Sequence, residues 1–181
     1  MKHNSNFRII LSAMFAALIC VATMLIHIPT PGTNGYVNLG DGVILTCAYL
    51  LSPGYAVAAA GIGSMLADVL AGYMSYAPGT LIIKGLVALI AALICRKVAS
   101  ENTSHKPAFV TYLLSGIVAE VFMAAGYFLY ESTLLGYGIG ALASVPANLA
   151  QGAFGVIFAL ILTPVLTGSH EINDLLRKFR S

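Results

Sequence analysis

The chain contains no tryptophan and very little charge, with nine Lys/Arg and seven Asp/Glu in 181 residues. Charged residues make up 9%, where a soluble domain has roughly 25%, too few to cover the surface of a soluble fold. That scarcity argues against a soluble enzyme, a nucleic-acid binder and a disordered chain. A net charge of +2 is too small to imply a polyanionic partner. The three cysteines, Cys20, Cys47 and Cys95, are scattered through apolar runs without a CxxC pair. They read as small apolar residues rather than as a metal site or disulfide frame.

Motifs of catalysis and energy conversion are missing too. There is no GxxxxGK[ST], so the chain has no nucleotide site of its own to drive transport. No HExxH or Ser/His/Asp constellation occurs, and His3, His27, His105 and His170 sit near the ends of apolar runs or in the termini. Neither catalysis nor a cofactor is expected. The formal GxGxxA match at Gly136–Ala141 follows no strand and is discarded. No internal repeat stands out, which weighs against an inverted-repeat transporter.

What is present is apolar: hydrophobic residues are 59% of the chain. One all-α membrane domain is expected over residues 1–181. Its runs cover about Phe7–Ile28, Gly42–Leu51, Tyr55–Tyr73, Thr80–Cys95, Phe109–Tyr130 and Ala141–Leu166. The first run shows no convincing small-residue cleavage site and is expected to be a retained helix. A crossing needs about 20 residues, so the second and fourth runs are short, and hydropathy leaves five or six crossings open. Basic residues decide between them. Lys2, Arg8, Arg96, Lys97, Lys106, Arg177, Lys178 and Arg180 all fall on one side if there are six crossings, while loops 29–40, 74–79 and 131–140 hold no Lys or Arg. The positive-inside rule then predicts six helices with both termini cytoplasmic. The tail, residues 169–181, has apolar residues at helical spacing among basic ones; a surface-lying amphipathic segment and a solvated end are both open.

Charges inside the runs are costly, at least about 2.5 kcal/mol each near the bilayer centre. Asp68, Lys84 and Glu120 are such residues, Glu120 the deepest at roughly 15 Å from the outer end. Asn148 and Gln151, three apart, share a face of the last helix. With Tyr36, Asn38 and Tyr127, these groups are expected to converge on an outward-facing pocket for a small, flat, polar ring. Structural roles remain open for several: an Asp68–Lys84 pair, interhelical hydrogen bonds from Asn148 and Gln151, and an interfacial belt for the tyrosines. Asp41 is expected to cap the second helix. The first helix has small residues at Ser12, Ala13, Ala16 and Ala17, spacings that permit close approach by a neighbouring helix, within the chain or from another.

These features together resemble the substrate-binding S components of energy-coupling factor (ECF) vitamin transporters. The resemblance covers nearly the whole chain. It rests on six helices in this length, Leu11–Leu18, Tyr36–Gly42, Gly61–Asp68 with Ala77–Lys84, and Glu120 with Gly126-Tyr-Phe and Val145–Gln151. It points to the branch with riboflavin-, hydroxymethylpyrimidine- and pyridoxine-type members. It implies a non-catalytic, multi-pass subunit of a prokaryotic cell membrane that captures a vitamin or precursor from outside. The implied site is Lys84, Glu120, Tyr127, Asn148 and Gln151, with Tyr36 and Asn38 in a lid. Asp68 is a further candidate, in contact with cargo or with Lys84. The resemblance also implies that Ala13 and Ala17 contact a membrane-embedded T component energised by two cytosolic ATPases, and that the S component topples in the bilayer to release its cargo. A vitamin B6 form or the thiamine pyrimidine is the expected cargo, with riboflavin as the alternative. A self-sufficient transporter coupling protons through Glu120 is the competing class, and a membrane enzyme on prenyl substrates ranks lower because no DxxD-type acidic pair occurs.

Overall fold

The computed structural model describes residues 2–26, 28–30, 33–101 and 108–168. The amphipathic tail over 169–181, Lys106, and the three basic residues of the tail lie outside them. Six α-helices follow one another: α1 (Lys2–Leu25), α2 (Gly40–Leu50), α3 (Pro53–Leu70), α4 (Ala77–Glu101), α5 (Ala108–Leu129) and α6 (Val145–Gly168). A π-helical turn, Tyr130–Leu134, extends α5, and a 3-10 segment, Gly138–Ser144, leads into α6. Two short strands, β1 (Ile28–Pro29) and β2 (Tyr36–Val37), pair antiparallel between α1 and α2. This hairpin was not expected from the all-α reading, because two-residue strands leave no periodic signal.

The fourth run is longer than its apolar core. Helix α4 has 25 residues, extending three residues before Thr80 and six beyond Cys95, so only the second run is truly short. Among the described residues, five helices are long and apolar enough to cross a membrane. Helix α2 has 11 residues and spans roughly 16 Å, about half the hydrocarbon thickness. Every one of its residues is buried. Helix neighbours close a ring, α1–α3–α4–α5–α6–α2, and α2 also packs on α3 and α4. Short length is tolerable because α2 faces protein on every side, so its backbone ends find protein partners instead of lipid. The connection before α2 therefore reaches down into the bundle.

Close helix approach explains the small residues of α1. Ser12 donates to the Tyr55 carbonyl at 3.0 Å. A Cβ on Gly63 would lie 2.5 Å from the Ala16 carbonyl oxygen, so this α1–α3 contact needs glycine on α3. Ser12 and Ala16 thus pack inside the chain, while Ala13 and Ala17 on the neighbouring flank are exposed. Beside them Ile10, Met14, Leu18 and Val21 are at least half exposed, an apolar surface of the kind that lipid or another membrane helix covers.

Arg8, Arg96 and Lys97 lie at the end of the bundle opposite the hairpin, where Arg96 donates to the Leu51 carbonyl at 3.2 Å. The orientation inferred from basic residues therefore puts the hairpin outside. In a cysteine-free background, Ser75→Cys and Thr133→Cys should react with a membrane-impermeant maleimide in intact cells, and Lys97→Cys only after the membrane is opened. Reversed labelling at any of the three would overturn this orientation.

Candidate functional site

At the hairpin end, α3, α4, α5 and α6 each bring polar side chains inward at helical spacing. The pairs are Ser64 and Asp68 on α3, Thr80 and Lys84 on α4, Tyr127 and Glu131 from α5 into the π-turn, and Asn148 and Gln151 on α6. All eight line one polar cavity, together with Tyr36 and Asn38 from the hairpin connection. Residues three or four apart point the same way, which is how four helices deliver two polar groups each to a common centre.

Lys84 of this lining belongs to an ion pair. Lys84 Nζ lies 2.5 Å from Asp41 Oδ1, both side chains almost fully buried. Gln151 Nε2 donates to Asp41 Oδ2 at 2.5 Å, and Gln151 Oε1 accepts the Asn38 backbone N–H at 2.7 Å. Asn38 Oδ1 in turn accepts the Gly40 N–H at 2.8 Å. The buried oxygens of Asp41 and Gln151 in this series thus each have a partner, the condition under which buried charge is tolerated. Gly155 makes room for it, since a Cβ there would lie 2.8 Å from the Asp41 Cβ. The Lys84 ammonium also sits 5.4 Å from the centre of the Tyr127 ring, within cation–π range. The Tyr127 and Thr80 hydroxyls are 3.0 Å apart.

Two more carboxylates stand higher in the wall. Asp68 Oδ1 accepts the Tyr36 hydroxyl at 2.6 Å, and the Tyr36 ring packs on Tyr73 at 4.5 Å between centres. Burial and the Asp68 charge push the Tyr36 phenol up, so it stays a hydrogen-bond donor. Glu131 accepts the Tyr76 hydroxyl at 3.0 Å and the Ser144 hydroxyl. Burial and Glu131 likewise push the Tyr76 phenol up. The Tyr130 hydroxyl donates to the Ser75 carbonyl at 2.6 Å, tying the π-turn to the α3–α4 connection. The hairpin lies across this arrangement, held by Tyr36 on Asp68 and by the Asn38 backbone on Gln151. The free space beneath it, about 20 Å³, is roughly that of one water molecule.

Seven of the eight residues expected in a pocket meet here: Tyr36, Asn38, Asp68, Lys84, Tyr127, Asn148 and Gln151. Glu120 does not join them. It lies seven residues, roughly 10 Å, before Tyr127 on α5, and Gly152 of α6 packs against its side chain. It lines a separate apolar cavity of about 300 Å³ between α5 and α6. It is buried, and its carboxyl oxygens have no hydrogen-bond partner among the described residues.

Asp41 overturns its expected capping role. Leu39 occupies the cap position of α2 without a capping bond of its own, Asn38 takes the N–H of Gly40 at the helix start, and Asp41 is the carboxylate paired with Lys84. Sequence reading missed it because an acid at a helix start has a familiar local use, while its partner is 43 residues away. Glu131 was counted with the following loop. Its spacing of four from Tyr127 was the signal that could have found it.

Residues 3–167 match the ECF-type riboflavin transporter, S component family. The chain is also 30% identical over 172 residues to the thiamine precursor transporter HmpT of Lactococcus lactis subsp. cremoris (strain MG1363), covering 94% of each chain. A Pyrococcus woesei protein, described only as an uncharacterized protein in a gap 3′ region, is 36% identical over 139 residues, 77% of this chain and 87% of that one.

Breaking a buried pair by removing one partner costs about 3–5 kcal/mol, whereas neutralising both is far milder. Lys84→Met should therefore lower the unfolding temperature in detergent sharply, and adding Asp41→Asn should restore most of the loss. A double variant no more stable than Lys84→Met would show that the pair does not brace the fold.

Proposed function

The chain belongs to the ECF-type riboflavin transporter S-component family, and from that premise we propose that its polar cavity captures a small nitrogen-ring vitamin or precursor from outside the cell. The family is a transport component and names no catalyst; it makes this chain a vitamin- or precursor-binding membrane subunit. The finer reading is a vitamin B6 form or hydroxymethylpyrimidine as cargo, delivered inward with a T component and two ATPase subunits across a prokaryotic cell membrane.

The observation that carries this reading is the convergence of Asp68, Lys84, Tyr127, Asn148 and Gln151 from four helices beneath a hairpin contributing Tyr36 and Asn38. Such a set offers acceptors, donors and aromatic faces, the mixture a polar heteroaromatic ring requires. The hairpin acts as a lid. A ring is much larger than the space beneath it, so binding requires the Tyr36–Asp68 and Asn38–Gln151 hydrogen bonds to open. Small cargo is favoured because the lid need lift only slightly. Riboflavin is the second reading, favoured by the family description, and asks for a wider opening.

Mass spectrometry of small molecules carried through purification names the cargo directly. A stoichiometric pyrimidine or pyridine is expected, and Asp68→Asn should weaken its binding by roughly 10- to 100-fold, the worth of a hydrogen bond to a charged group. No co-purified compound, and no thermal stabilisation by any B vitamin or precursor, would refute the capture role.

The exposed Ala13 and Ala17 flank of α1 is assigned to the T component. Ala13→Trp and Ala17→Trp should prevent assembly of the transport complex while leaving cargo binding by the isolated chain unchanged. Complexes that form normally with either tryptophan would move the interface elsewhere.

A further inference from the structure

We propose that Glu131 is a second cargo-reading carboxylate of this cavity, and that the cargo presents to it an amino group that is protonated or rich in hydrogen-bond donors. The inference rests on the capture role above and narrows the chemistry of the cargo.

Charge balance in the wall leads to this assignment. Two acidic side chains, Asp68 and Glu131, and one basic one, Lys84, line the cavity. Lys84 is already matched by Asp41 at 2.5 Å, and Asp41 stands behind the wall. Lys84 is thus already committed and supplies no ion pair to Glu131. Among the described residues no basic side chain forms an ion pair with Glu131; its hydrogen-bond donors are the neutral hydroxyls of Tyr76 and Ser144. A carboxylate has about four acceptor sites, so two hydroxyl donors leave capacity for a third and fourth.

Position supports the same role. Glu131 is only 2% exposed and sits on the π-helical turn that ends α5, a distortion frequent at functional sites. It also lies directly beneath the hairpin. A Cβ on Gly35 would meet Thr30 Oγ1 at 3.1 Å, Glu131 Oε1 at 3.3 Å and the Tyr76 hydroxyl at 3.3 Å. Two of these oxygens belong to the wall, the Glu131 carboxylate and the Tyr76 hydroxyl; Thr30 belongs to the hairpin itself. When the hairpin lifts to admit cargo, that point becomes open to the cavity. An amino group, with two or three N–H donors, complements the Glu131 carboxylate and the Tyr76 oxygen that stay in the wall; a ring carbonyl beside Glu131 would face repulsion from the carboxylate.

The bland role for Glu131 is bracing of the π-turn through Tyr76 and Ser144. Bracing would affect stability and all ligands alike, while reading of an amino group affects one ligand selectively. The test compares the wild type and Glu131→Gln, purified in detergent, by calorimetric titration with 4-amino-5-hydroxymethylpyrimidine and with its 4-oxo counterpart. The wild type should bind the amino ring at least tenfold more tightly than the oxo ring. Glu131→Gln should lose at least tenfold on the amino ring and less than threefold on the oxo ring. Equal losses on both, or none on the amino ring, would overturn the assignment. If the variant fails to fold, the wild-type comparison stands alone, and a preference for the oxo ring overturns the assignment as well. Binding of riboflavin but of neither pyrimidine would sink this inference and leave the capture role intact. Binding of none of the three, with no stabilisation by other B vitamins, would remove both.

Discussion

The Asp41–Lys84 pair is the interaction on which the rest of the structure depends. Two opposite charges in the middle of an apolar bundle are tolerable only if they are held together and their remaining hydrogen-bonding capacity is filled. Gln151 fills the second oxygen of Asp41, and the backbone of Asn38 completes Gln151. That single chain of contacts joins α2, α4, α6 and the hairpin connection. It requires the start of α2 to lie deep within the protein, which accounts for a helix of 11 residues that is buried on every side.

The depth of α2 has a second consequence. The hairpin that precedes it must descend into the bundle mouth, and so it roofs whatever space the helices leave there. The roof is held by two kinds of contact, a phenol on Asp68 and a backbone amide on Gln151. Both holding partners are themselves in the cavity wall. On the proposed reading, cargo that competes for Asp68 or Gln151 also competes with the roof, which would couple recognition to opening.

Charge is also partitioned by level. Above the ion pair, Asp68 and Glu131 face a polar cavity with hydroxyl donors around them. Earlier on α5, Glu120 faces an apolar cavity between α5 and α6 and packs against Gly152. Two carboxylates eleven residues apart on one continuous helix and its π-turn thus stand in different surroundings, one with donors and one without.

Much of this was legible in the sequence. Low charge and long apolar runs identify a membrane protein, because a chain so poor in ionisable groups has nothing to cover a water-facing surface. The clustering of Asp68, Lys84, Tyr127, Asn148 and Gln151 toward one end was readable from helical rise alone. Spacings of three and four also reveal which residues share a face. What sequence could not decide was pairing across helices. Asp41 looked like a cap and Glu120 like a pocket residue, since local rules apply within a helix, whereas ion pairing depends on which helices are neighbours and at what level each begins. The depth of the short α2 set that level, and only the tertiary structure contains it: it follows from packing on α6, α4, α1 and α3 at once, a many-body constraint that no single segment encodes.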